Sequence, residues 1–197
     1  MTILTDLTSV KAWLKKTDAE NDDQLTELIG SVCHACEAYL GRPLERISRT
    51  ELVPRVRQFE RSFRLRANPV TVITSVKVAT DGDFASATAL DAETYAQSDL
   101  DSGTLHFNFD LQEGRNHIQV VYTGGIAPDI ATIKTTHPDL HHAANLQIGH
   151  EWQRRNTPGS SSDRTTGASK TFVGEVALLK RVRELLDPHA RSFQAHT

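Results

Sequence analysis

The chain has 197 residues, 38% of them hydrophobic and 24% charged, with a formal net charge of −3. These values suit a core-forming globular chain and exclude a general polyanion binder, which would carry a large positive charge. No apolar run reaches the length of a membrane span, and the opening MTILTDLTSVKAW lacks the basic and apolar regions of a signal peptide, so a cytoplasmic origin and no membrane partner are expected.

The N-terminal part reads as helix. Leu7, Val10, Trp13 and Leu14 form a short amphipathic stretch. The acidic link KTDAENDD breaks it and offers Asp18 or Asp22 as an N-cap for the next helix. Leu25, Leu28, Ile29, Val32, Cys36, Tyr39 and Leu40 then recur at helical spacing, and Gly41 with Pro43 marks the stop. The middle of the chain reads as β. TVITSVKV (71–78) is β-branched and alternating, and RTELV (49–53) and SFRLR (62–66) are weaker strands. TLHFNFD (104–110) and HIQVVYT (117–123) flank the turn-like LQEGRN, which predicts a hairpin between them. Helix returns after GGIAPD, over residues 137–155. A polar Gly/Ser/Thr-rich stretch at 156–171 reads as a mobile loop, and FVGEVALLKRVRELL (172–186) closes as a helix before Asp187-Pro188.

Strands do not alternate with helices, so a doubly wound sheet is not expected. The fold class is α+β: a mainly helical core of N- and C-terminal helices packed together, with a central projecting β-hairpin or small antiparallel sheet. One domain is expected, with helices over 1–44, a β-rich insertion over 45–127, and helices over 128–197.

Several motifs invite a chemical reading. Cys33-His34-Ala35-Cys36 has CxxC spacing, but it lies mid-helix, away from the dipole that activates redox dithiols, and no further cysteine supplies a second zinc pair. Cys36 falls at the centre of the apolar face, Cys33 at its flank, and His34 points away, so packing cysteines are expected. Among His137, His141, His142 and His150, only the first two share a helix face. HEWQR (150–154) has Arg154 where a zinc protease needs its second histidine. DAENDDQ fails as a calcium loop, with Asp23 at the glycine position and Ile29 at the glutamate position. YTGGIA has no phosphate-cradle pattern, and Ser160, Ser161 and Ser162 sit in no nucleophile elbow. No catalytic site, cofactor or metal is therefore expected.

Charge placement is more informative. From Arg42 to Arg66 there are eight arginines and three acids, whereas from Ala67 to Ala127 there are eight acids against Lys77 and Arg115. Arg42, Arg55, Arg57, Arg61, Arg64 and Arg66 form the candidate interaction set, since guanidinium groups bind both phosphates and interface carboxylates. Phe59 and Phe63 are too few for a convincing single-strand stacking surface.

The stretch LTDLTSVKAWLKKTDAENDDQLTELIGSVCHACEAYLGRPL resembles the N-terminal signature of tailed-phage head–tail connector (adaptor) proteins. Glu37, Tyr39, Leu40, Gly41, Arg42, Pro43 and Leu44 carry the closest likeness. NPVTVITSV (68–76), YAQSDLDSGTLHF (95–107), NHIQVVYTGGIAPDI (116–130) and PDLHHAANLQIGHEWQRR (138–155) are similar to later blocks of that family. ALLKRVRELLDPHAR (177–191) is similar to its closing element, with His189 where tyrosine is usual. Gene transfer agents carry related adaptors. The resemblance implies a non-enzymatic virion protein of the head–tail junction, present in host cytoplasm during assembly. It implies a ring of on the order of a dozen copies bound beneath the portal protein, extending the DNA channel and docking a stopper, tail-completion or other neck component. A basic and an acidic segment in one chain suit the two unlike patches of a heterologous ring contact. The alternative is a nucleic-acid-binding accessory of DNA packaging that uses Arg55–Arg66, with packaged DNA as the contact.

Overall fold

The computed structural model describes residues 3–54, 56, 60–96, 98–111, 113–155 and 178–190. Arg55 and Arg57, the 156–171 stretch and residues 172–177 of the expected closing helix lie outside these. The chain divides into two compact units, Met1–Gly41 with Ile130–Thr197, and Arg42–Asp129. The fold is α+β, with helices in the first unit and small antiparallel sheets in the second.

The first unit contains α1 (Leu7–Leu14), α2 (Asp22–Leu40), α3 (Ile130–Thr136), α4 (Pro138–Arg154) and α5 (Lys180–Leu186). Asp6 caps α1 by accepting the Ser9 N–H at 2.7 Å, an arrangement that satisfies a donor left over at the helix start. The expected capping of α2 by Asp18 or Asp22 is corrected: Asn21 holds the cap position, and Asp22 and Asp23 lie in the first turn, where the helix dipole favours them. Asp22 instead receives the Lys11 ammonium at 2.8 Å. Gly41 ends α2 in the left-handed region (φ 67°) and donates to the Glu37 carbonyl. Helix α4 is the hub, packing against α1, α2, α3 and α5. Its buried residues include Leu140, Ala143, Ala144, Ile148 and Trp152, and small residues there let neighbouring helices approach closely. No helix among the described residues is long and apolar enough to cross a membrane.

The second unit contains β1 (Ile47–Leu52), β2 (Ser62–Arg64), β3 (Val70–Val78), β4 (Thr104–His106) and β5 (Ile118–Gly124), with a short 3-10 turn at Ala92–Tyr95. The expected hairpin between 104–110 and 117–123 does not form. β5 is the central strand of an antiparallel sheet ordered β1-β5-β3, and β4 pairs with β2 in a separate two-stranded ribbon. The intervening segment is drawn elsewhere: Leu111 donates to Glu60, and Gly114 exchanges backbone hydrogen bonds with Val56. Both sheets contribute to one apolar cluster, which includes Val53, Leu65, Val76, Leu105, Phe107, Ile118, Val120 and Tyr122. Strand β5 alternates strictly, with Ile118, Val120, Tyr122 and Gly124 buried.

Glycines in YTGGIA serve packing. A Cβ on Gly124 would lie 2.3 Å from the Ala67 carbonyl oxygen, and one on Gly125 (φ 136°) would lie 2.4 Å from that of Glu45. Their bareness lets the chain after Leu44 run against 125–127, where Ile126 donates to Leu44 and Arg46 to Ala127.

Candidate interaction surface

Among the described members of the arginine set, Arg42 and Arg64 are half-buried and Arg61 and Arg66 are exposed. Arg42 donates to the Asn68 carbonyl at 3.1 Å and Arg64 to that of Ser102 at 2.7 Å, while the Asn68 amide also donates to Ser102 at 3.1 Å. Burial, with a further push from the Arg64 charge, holds the Arg42 guanidinium below the usual arginine range. These two side chains therefore brace the irregular backbone around residues 68 and 102. Arg61 and Arg66 are the exposed members among the described residues. Arg61 forms an ion pair with Asp110 at 2.5 Å, which raises its already high pKa and lowers that of the carboxylate. Arg66 is held through its backbone, whose N–H donates to Glu51 at 3.0 Å, leaving the side chain directed to the surface.

Two further arginines, not singled out by sequence, have structural roles. Arg46 donates to the carbonyls of Gly125 (3.2 Å) and Ile126 (2.6 Å), and Arg49 to that of Glu45 (3.1 Å). No pattern in the sequence marks them, because the carbonyls they serve are exposed by the fold. Glu51 has an equivalent part: it accepts from the buried Tyr122 hydroxyl at 2.6 Å, and Tyr122 in turn accepts the Ala67 N–H at 3.1 Å. Burial and the Glu51 contact both push the Tyr122 phenol far above its ordinary value.

The three-stranded sheet has one face turned outward. Register places Thr50 and Leu52 of β1 beside Val121 and Gln119 of β5, and Val72 of β3 beside Thr123. Leu52 is 44% exposed and Val72 55%, which is high for aliphatic side chains on a sheet. Near the β2–β4 ribbon, Phe107 stacks on Phe63 (5.5 Å) and meets the half-exposed Phe109 edge-on (5.7 Å). Exposed Leu52, Val72 and Phe109 and exposed Arg61 and Arg66 all belong to the second unit, and together they have the mixed composition of protein-binding surfaces.

Among the described residues weighed for chemistry, the two cysteines are packed and several histidines have local partners. Cys33 and Cys36 are both buried. Burial pushes their thiols up to about 11 and about 12, so neither supplies thiolate near neutral pH. His34 is exposed, as its helical position predicts. His141 is bound on both nitrogens: Nδ1 lies 2.7 Å from the Leu4 carbonyl and Nε2 3.0 Å from the Asn145 amide nitrogen. A carbonyl only accepts and an amide nitrogen only donates, so the proton sits on Nδ1. Asn145 completes the chain by accepting from Thr5 at 2.7 Å. Gln147, also buried, donates to Glu151 at 2.8 Å and accepts from the Leu179 N–H at 3.0 Å, which anchors the start of α5. His142 lies edge-on to Trp13 at 5.4 Å. His137 accepts the His141 N–H through its carbonyl at 3.4 Å. It comes together with Asp139 and His189, and one ligand atom from each of these three lies within 4.8 Å of the others.

One signature residue finds its partner within the helical unit. Tyr39 donates to the Asp187 carboxylate at 2.5 Å, joining the end of α2 to the turn after α5. This contact raises the tyrosine pKa.

The head completion protein family model matches residues 3–192 of this chain. No curated protein matches the sequence. Solved structures do. A chain from the virion of a native gene transfer agent particle is similar at 14% identity and TM-score 0.65, over 95% of this chain and 89% of that one. A chain from the neck of an empty particle, computed with C6 symmetry, is similar at 14% identity and TM-score 0.63 over the same shares. A chain from the neck of a native particle, computed with C12 symmetry, matches at 14% identity and TM-score 0.58, over 95% of this chain and 93% of that one. At such identities the likeness is one of fold.

Proposed function

The chain belongs to the head completion protein family, and from that premise we propose that it is a non-catalytic structural protein of the neck of a tailed-phage or gene-transfer-agent particle. In this reading it binds beneath the portal protein as a homo-oligomeric ring, continues the DNA channel, and receives a stopper or other tail-completion component. The observation that carries the reading is the extent of the family match, 3–192 out of 197 residues. The fold likeness to neck chains and the outward aliphatic face around Leu52 and Val72 support it. A cyclic ring needs two unlike patches per subunit, and this face together with the Arg61–Arg66 edge of the same unit offers candidates for one of them.

The test is reconstitution with portal assemblies of the cognate particle, followed by electron microscopy. Ring density of this chain at the portal's outer end is expected. Absence of binding at every protein concentration tried overturns the reading. Within the Arg55–Arg66 segment of the nucleic-acid alternative, Arg64 directs its Nε to the Ser102 carbonyl, which counts against that reading. It predicts a duplex mobility shift at low salt that fades steeply as salt rises, and the neck reading predicts no such shift for the free chain.

A further inference from the structure

We propose that His137, Asp139 and His189 form a binding site for a divalent transition-metal cation of the zinc class. Such a cation would staple the turn after α5 to the first turn of α4. The inference is independent of the neck reading, since it concerns the helical unit alone. It also departs from the sequence-based expectation of no metal, which looked for ligands along one helix.

The three residues are brought together by two separate pieces of local structure. His137 precedes Pro138, which starts α4, and its side chain makes no capping hydrogen bond. Asp139 follows in the first helical turn. That turn is tied back to His137, whose carbonyl accepts the Leu140 N–H at 3.1 Å. His189 arrives from the other end of the unit, closing the short 3-10 turn Asp187–His189 that Pro188 stiffens. Tyr39 holds the first residue of that turn through Asp187. The His189 Nε2 atom lies 2.5 Å from Asp139 Oδ2, and the His137 and His189 rings meet edge-on with centroids 5.3 Å apart. The side chains of His189 and Asp139 are only 19% and 37% exposed.

An ion pair between Asp139 and His189 is the simpler use of two of these groups. The His137 ring stands beside the same pair, edge-on to His189, so that a third donor is within reach. Two imidazoles and one carboxylate within a few ångströms are the donor set that binds zinc and its neighbours, whereas magnesium and calcium prefer oxygen-only shells. A metal would take the place of the Asp139–His189 hydrogen bond, with both atoms turning to the cation. Three protein ligands leave at least one coordination position for water or for a donor from a neighbouring molecule. His137 and His189 lie 52 positions apart in sequence, so the cation would bind the folded helical unit and not its unfolded chain, and would stabilise it by mass action.

The experiment uses the full chain, stripped with chelator and titrated with Zn²⁺ by calorimetry, beside long-range ¹⁵N–¹H spectra of the histidine rings. One saturable equivalent per chain is expected, with the ring resonances of His137 and His189 shifting together and the thermal midpoint rising by several degrees. Mg²⁺ should produce none of this. His137→Gln and His189→Gln should each abolish the saturable binding, and His142→Gln should keep it. The ring spectra of the unsubstituted chain decide the matter even where a variant folds poorly. Absence of saturable binding, shifts confined to His142 or His150, or binding that persists without His137 or His189 overturns the proposal.

Discussion

The two units use polar side chains in opposite ways. In the helical unit, backbone carbonyls are satisfied within the helices, so buried polar side chains are free to connect one element to another. Thr5, Asn145 and His141 link the N-terminal segment to α4, and Gln147 links α4 to the start of α5. In the β-rich unit the strands are short and the connections long, which leaves carbonyls without ladder partners. Arginines take them up: Arg42 at Asn68, Arg46 at Gly125 and Ile126, Arg49 at Glu45, and Arg64 at Ser102. A basic run in sequence is therefore partly a means of satisfying an irregular backbone, and only its remainder is available for partners.

The contrast can be broken most severely at the backbone of the β-rich unit. Gly125→Ala forces a side chain into a positive-φ position against the Glu45 carbonyl and should cost on the order of 3 kcal/mol or more, read from urea denaturation. In the helical unit, Asn145→Leu leaves the Thr5 hydroxyl and the His141 ring without their buried partner. A loss of about 2–3 kcal/mol is expected by the same measurement. Arg46→Ala removes two charge-assisted bonds to carbonyls and should cost about 1.5–3 kcal/mol, with Arg46→Lys recovering part of it.

A pH test distinguishes a helix cap from these. Burial works against ionisation of Asp6, but the Ser9 N–H and the Lys134 ammonium at 2.9 Å outweigh it and hold the carboxyl below its ordinary value. The folded pKa is thus lower than the unfolded one. The stabilisation is present above the unfolded value of 3.8 and is lost as pH falls through the folded pKa. Asp6→Ala should cost about 1 kcal/mol at pH 7, and the gap from the unsubstituted chain should close under acid conditions below that range. The smallest effect belongs to Arg61. Its ion pair with Asp110 is exposed, so Arg61→Ala should leave the denaturation midpoint unchanged while weakening binding in the portal reconstitution, if the ring reading holds.

Sequence periodicity located α1, α2 and α4 closely, because a helix is written in its own neighbouring residues. Strand positions were also legible, since alternation is local. Their pairing was not: Gly124 of β5 sits opposite Ile47 of β1 and Val70 of β3, so its partners come from far along the chain. The apparent hairpin at 104–123 failed for this reason. The candidate interaction set met the same limit. Arg61 and Arg42 look alike in sequence, and only the fold puts a carbonyl beside one and an exposed carboxylate beside the other. Asp139 and His189 illustrate it again, since helical geometry over 137–150 says nothing of a residue that returns from the end of the chain.

The division of the chain at Gly41 and Ile130 has a consequence for its synthesis. Residues 42–129 are continuous, so all the partners in their apolar cluster have been made before α4 begins. Leu25, Ile29 and Val32 of α2 are made first, yet the helix that covers them is translated roughly a hundred residues later. On the ribosome, the inserted unit can therefore reach its native core first, while the earliest helices wait with their apolar faces uncovered.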